Sequence, residues 1–248
     1  MKKDIIVEEK LNIPGNYQFK ALNDSIFIKS NWHRNKLICI SNSINVKNMR
    51  ILDLGTGSGN FEIMFSNLAN EIVGVDYNVE ALKFLSNELE NRSIRNVRLI
   101  KEDIRNIKKL KYLGKFDIVL LIDVIEHIKI VELKKIIQNI KILLKDHGKV
   151  FIITPNYHSL WILIENFSDK LNLLPKMAGE QHISKFTKYS LLDLFDNDFK
   201  LENIFSFNLI SFLIPIRSIS SEVCRFEMSK KILPGNLIAS LFSYEPND

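Results

Sequence analysis

Apolar residues along this chain recur with two periods, and the way the two alternate predicts its elements. The run Met49-Arg50-Ile51-Leu52 leads as a buried strand into Asp53, and Phe61, Met64, Phe65, Leu68 and Ala69 follow at helical spacing. Glu71–Asp76 reads as a second short strand, Ala81, Leu82, Leu85 and Leu89 as a helical stripe, and Val97–Ile100 as a third strand. Phe116–Ile122 is apolar at consecutive positions, as a parallel strand covered on both faces would be. Val131–Leu144 sets Leu133, Ile136, Ile137, Ile140, Leu143 and Leu144 against a mostly lysine side, predicting a helix that His147-Gly148 ends as a glycine cap. Lys149–Thr154, closed by Pro155, is the fifth strand.

Strand and helix alternating five times argue for an α/β, doubly wound sheet with ligands at the strands' C-terminal edge. Past Pro155 the periods weaken. Leu191, Leu192, Leu194 and Phe195 suggest a helix, and Phe199–Phe207 and Leu237–Tyr244 a sixth and a seventh strand. Tyr157–Phe186 and Ile210–Ile232 read as insertions.

Composition narrows the class. With 248 residues, 46% of them apolar, the chain can bury one substantial core. Cys39 and Cys224 stand alone, which suggests neither a disulfide framework nor a zinc site and fits a reducing, cytoplasmic setting. The N-terminal residues carry too many charges for a signal peptide, and the apolar stretch Ile204–Ile216 is too short to span a bilayer. The net charge of +5, from 34 basic and 29 acidic residues, is spread along the chain, favouring a solvated basic surface over a nucleic-acid patch.

The most informative segment is Asp53-Leu54-Gly55-Thr56-Gly57-Ser58-Gly59. Three glycines after a strand let a ligand lie against bare backbone, with the next helix aiming free N–H groups at it. A dinucleotide fingerprint would need glycine at position 60, where this chain has Asn60. Asp76 closes the second strand about 20 residues past the first glycine, the spacing at which a carboxylate accepts hydrogen bonds from ribose hydroxyls. The plainer reading is a turn aspartate before an Asn78 helix cap.

From Arg50 to Asn156 the chain resembles class I S-adenosylmethionine-dependent methyltransferases, close to the ubiquinone-biosynthesis O-methyltransferase group. The resemblance implies a Rossmann-like seven-stranded sheet, mostly parallel with an antiparallel last strand. It implies S-adenosylmethionine over Gly55, Thr56, Gly57 and Gly59, its amino group at Asp53, its ribose at Asp76 and Tyr77, and its adenine at Asp103 and Ile104, with Ile122 alongside. S-adenosylhomocysteine would be the product. Residues 1–48 would form a lid and substrate-recognition segment. Residues 49–248 would form the catalytic domain, with insertions near 157–187 and 210–232 completing the lid.

Asp123-Val124-Ile125-Glu126-His127 after the fourth strand gathers two carboxylates and an imidazole at the cleft. Three readings stay open. His127 acts as a general base on an acceptor hydroxyl, or at least as a polar pocket wall; or Asp123, Glu126, His127 and His182 hold a divalent metal, as in small-RNA 2′-O-methyltransferases; or Glu126 and His127 only cap the next helix and hold the loop. Phe19, Trp32, Tyr157, Trp161 and Phe186 are candidate lid walls.

The expected activity is methyl transfer to oxygen, before nitrogen, of a small or lipid-like acceptor, without a resident metal. The alternatives are a metal-dependent methyltransferase of RNA ends and a silent donor-binding module. Weak membrane-surface contact through Ile204–Ile232 is set against a buried strand followed by a lid helix, the favoured reading. Nothing in the sequence fixes the oligomeric state.

Overall fold

A computed structural model describes residues 14–164, 182–230 and 234–246. The start of the 1–48 segment, the middle of the 157–187 insertion and the end of the 210–232 insertion lie outside the described residues. Seven strands form one sheet: β1 (Arg50–Leu54), β2 (Glu71–Asp76), β3 (Val97–Lys101), β4 (Phe116–Ile122), β5 (Leu144–Pro155), β6 (Phe199–Phe207) and β7 (Leu237–Tyr244). Their order is β3-β2-β1-β4-β5-β7-β6. The first five run parallel, and β7 pairs antiparallel with both β5 and β6. This is the expected Rossmann-like sheet with its reversed last strand.

Side chains alternate across the sheet, so successive residues of each strand feed two cores. Leu52, Leu54, Val73, Val75, Val119 and Leu121 pack beneath the 3₁₀ segment Ile104–Leu113 and helix α5 (Ile130–Leu143). Ile51, Ile72, Ile118, Leu120 and Phe151 meet α2 (Phe27–Ser43), α3 (Asn60–Phe65) and Cys224 of α7 (Arg217–Ser229). The remaining helices are α1 (Tyr17–Leu22), α4 (Val79–Asn91) and α6 (Lys188–Leu192). The N-terminal segment therefore shares a core with the sheet through α2.

Two helix expectations are corrected. α3 ends at Phe65, so Leu68 falls beyond it and is 44% exposed, and Met64, expected on the packed face, is 46% exposed within it. α5 ends at Leu143 without a glycine cap, because Leu144 is fully buried and pairs with Phe116 in the sheet. Strand β5 thus begins five residues early. The left-handed residue is His147 (φ 61°), in a tight bend where Gly148 sits against the Lys145 carbonyl. Within residues 204–230 the chain is the end of strand β6, with Phe205 and Phe207 buried, followed by α7, and no helix among the described residues is long and apolar enough to cross a membrane.

Strand order reverses between β1 and β4, which opens a crevice at their C-terminal ends. The glycine turn leaves β1 there and the Asp123–His127 segment leaves β4. Both halves of the expected site thus meet at one topological switch point.

Candidate active site

The turn after β1 is set by backbone conformation. Gly59, the N-cap of α3, has φ 77°, and a Cβ on it would lie 2.1 Å from Leu85 Cδ1 of α4. Gly57 has φ 52°, its N–H donates to Asp76 Oδ2 at 2.8 Å, and a Cβ on it would meet Gln18 Oε1 of α1 at 2.5 Å. Asp76, 8% exposed, also accepts from the Asn78 N–H at 2.8 Å, while Asn78 caps α4 through the amides of Glu80 and Ala81. Asp76 thus braces the turn from the end of β2, as the plainer reading expects, with Tyr77 next in the chain.

Asp53 is buried within β1, and among the described residues its Oδ1 has no hydrogen-bond partner. Burial, then the neighbouring carboxyls of Glu62 and Asp76, push its pKa well above the usual range. An orphaned buried acid beside a glycine turn fits the cationic amino group of S-adenosylmethionine, which would supply Asp53 with a donor and an opposite charge. A cavity of about 50 Å³ opens here between Asp53, Gly55, Thr56 and Ile122 on the sheet side and Gln18, His33 and Lys36 on the helical side. The His33 imidazole is pushed down to about 3 by burial and by Lys36.

After β3, where adenine is expected, Ile104 is buried in the core. Asp103 caps the 3₁₀ segment through the Arg105 N–H at 2.9 Å and pairs with the Arg105 guanidinium at 2.7 Å. Burial pushes its carboxyl up, but the bonds from Arg105 outweigh this and leave it below the usual range.

The four residues expected on the acceptor side separate into two groups. Asp123, held at φ 54°, pairs with Lys36 of α2, whose side chain is 7% exposed. Glu126, His127 and His182 converge, with ligand atoms within 4.8 Å of one another and the two imidazole centroids 5.3 Å apart. The Glu126 carbonyl accepts from the Ile183 and Ser184 N–H groups at 2.9 and 3.0 Å, and this docks the 182–184 segment onto the turn. Glu126 Oε2 accepts from Thr154 Oγ1 at 3.0 Å. Burial pushes its carboxyl up, and the His127 imidazole draws it back. Tyr157 Oη lies 2.7 Å from His182 Nδ1. Glu126 and His127 do not cap α5, whose N-cap is Lys129 with no side-chain bond.

Of the candidate lid walls, Trp32 stacks on Trp161 with centroids 5.0 Å apart, and Trp161 lies 6.1 Å from the His182 ring. Phe19 packs on Phe84. Phe186 is 1% exposed within the main core, so it is no lid wall.

Sequence reasoning missed Glu62, which is fully buried and accepts a hydrogen bond from Thr56 Oγ1, and Lys36, the partner of Asp123. Glu62 lies between Phe61 and Ile63 directly after the glycines, and an acid at such a position was the available signal. For Lys36 the signal was an α2 that buries Ser30, Asn31 and Asn35 in place of a clean apolar stripe.

Comparison with known proteins bears on the fold and the family. A ubiquinone biosynthesis O-methyltransferase of Pelagibacter ubique is 30% identical over 114 residues, covering 45% of this chain and 44% of that protein. The match thus spans less than half of the curated relative. N-methyltransferase NodS of Bradyrhizobium japonicum, solved with S-adenosylhomocysteine, superposes with a TM-score of 0.61 at 10% identity, covering 97% of this chain and 99% of that one. The PH0226 protein of Pyrococcus horikoshii gives a TM-score of 0.65 at 18% identity, covering 96% and 99%. At these identities the two structures speak for the fold. The sequence profile of a family described as a methyltransferase domain matches residues 45–206, well over half of the chain, and the protein belongs to that family.

Proposed function

We propose that the chain transfers the methyl group of S-adenosylmethionine to an oxygen of a small or lipid-like acceptor. The observation that carries this is the convergence of Glu126, His127 and His182 at the end of β4, beside the glycine turn of β1. The sulfonium donor supplies an activated methyl group. The chain's residues hold the two substrates in line and take the proton that a hydroxyl loses as it attacks. His127 and His182 are the proton acceptors, Glu126 stabilises the imidazolium from a buried position, and Tyr157 orients His182. The likeness to an O-methyltransferase supports oxygen over nitrogen. Gln18 lies over Gly57, so donor entry displaces it and makes α1 part of the lid. On this reading α1 and α2 of the N-terminal segment cover a site built by the rest of the chain.

Incubation with isotopically labelled donor and fractionated extract, followed by mass spectrometry and NMR of the labelled product, tests the reading. A methyl ether or ester supports it, and a methylamine overturns it.

A second reading is that Glu126, His127 and His182 hold a divalent cation that acidifies the acceptor hydroxyl. Their mutual reach of 4.8 Å favours it. Turnover unchanged after dialysis against EDTA would remove it.

A further inference from the structure

Beneath the glycine turn lies a second carboxyl that the donor reading alone does not require. Glu62 on α3 is fully buried, and its Oε1 accepts from Thr56 Oγ1. Its Oε2 and Asp53 Oδ1 are both buried without a donor among the described residues, and the two carboxyl groups contact each other. Two facing acceptor oxygens cannot satisfy one another unless a proton lies between them. The other ionisable groups around the pair are Asp76 at the end of β2, which adds negative charge, and His33 and Lys36 of α2 with Asp123 after β4, which line the same cavity, Asp123 paired with Lys36.

We propose that Asp53 and Glu62 share one proton in the donor-free enzyme, and that this proton leaves to solvent when the donor's ammonium group docks against Asp53. The inference rests on the amino-acid end of the donor lying over the glycine turn. The balance is simple: a neutral Asp53 carboxylic acid, bonded to the Glu62 carboxylate, becomes a carboxylate paired with the ammonium, and one proton passes to the buffer. No bond to carbon changes. Burial and its acidic neighbours push the Asp53 carboxyl up, and Asp53 is the member of the pair that the docking ammonium ionises. Glu62, also raised by burial, is drawn back by its bonds from Thr56 and Asp53. Glu62 is thus a positioning residue, acting on the donor through Asp53, and it couples donor affinity to pH.

Calorimetric titration with S-adenosylhomocysteine, repeated at pH 7 in buffers of different protonation enthalpy, counts the protons exchanged. The wild-type enzyme is expected to release about one proton per ligand bound, and its affinity to rise about tenfold per pH unit while the proton is held. 5′-Methylthioadenosine, which lacks the amino-acid end, is expected to bind without proton release. In Glu62→Gln the amide donates to Asp53 and keeps it ionised beforehand, so S-adenosylhomocysteine binds with almost no release and little pH dependence. Proton-free binding by the wild-type enzyme overturns the proposal, as does equal release by 5′-methylthioadenosine or by Glu62→Gln. Binding of 5′-methylthioadenosine but not of S-adenosylhomocysteine overturns the placement of the amino-acid end itself. The wild-type count decides even if Glu62→Gln folds poorly.

Discussion

The proposed donor side and the proposed acceptor side of the cleft are built on different principles. Around the glycine turn, residues from 53 to 85 meet at short range: Gly57 reaches Asp76, Gly59 abuts Leu85, and Thr56 bonds Glu62. Across the cleft, polar side chains bonded to distant side chains and backbone hold the wall together. Asn35 bonds Asn208 at 2.8 Å across 173 positions, and Asn31 reaches the Ile214 carbonyl at 2.7 Å across 183. Glu227 on α7 accepts from the amides of Leu209, Ile210 and Ser211 and from the Ser211 hydroxyl, fastening the loop that α2 leans on. One side is fixed by local backbone geometry and can be read as a motif. The other is fixed by which distant side chains meet.

The contrast is broken hardest at Gly59. Gly59→Ala forces a side chain into a left-handed conformation, at about 1–3 kcal/mol, and into Leu85, at about 1–3 kcal/mol more. Stability should therefore fall by about 3 kcal/mol in chemical denaturation, with loss of measurable S-adenosylhomocysteine binding. A variant that melts and binds like the wild type would mean that the turn is not set by this glycine.

His127→Ala probes the opposite side. Turnover should drop about 10²–10⁴-fold, the usual worth of a positioned general acid–base group, while S-adenosylhomocysteine affinity stays put. Loss of donor affinity to the same degree would dissolve the separation of the two sides.

Glu227→Gln gives a smaller and more selective effect. One acceptor oxygen is replaced by a donor facing buried amides, which costs about 1–3 kcal/mol for groups left unsatisfied. The acceptor KM should rise several-fold while donor affinity is kept, because the change loosens the wall that carries Trp32 and leaves the glycine turn alone. A shift in donor affinity with no change in acceptor KM would reverse the assignment.

These differences also decide what the sequence revealed. β2, β4, β6 and β7 were legible residue for residue because consecutive or alternating apolar positions leave a buried strand few registers. Asp53, the glycines and Asp76 were legible because spacing along one βαβ unit determines where they lie. The end of α5 was not, since His147-Gly148 imitates a cap and the deciding fact is Leu144 pairing with Phe116 in a strand 28 residues away. Asp123 was grouped with Glu126 and His127 by proximity in sequence, yet its left-handed backbone and Lys36 turn it toward the donor cavity. Local chemistry showed that the residues were polar. It could not show which helix would reach them.

His33 provides the finest test, because it lies on α2 where the two sides touch. Its folded-state pKa of about 3 is depressed from 6.5, so between these values the unfolded chain binds a proton that the folded chain refuses. Its contribution to stability is complete above pH 6.5 and declines as pH falls toward 3. Asp53 and Glu126, both raised, contribute in the opposite sense, losing stability as pH climbs above their unfolded values of 3.8 and 4.5. The difference between wild type and His33→Gln isolates the imidazole from these carboxyls. The wild type should lose up to about 1.4 kcal/mol more than the variant per pH unit below 6.5, less because the ring is only partly buried. Parallel denaturation curves from pH 7 to 5 would show a solvated ring. The helical wall would then stand further from the cavity, and the packing of α2 onto the donor side would have to be redrawn.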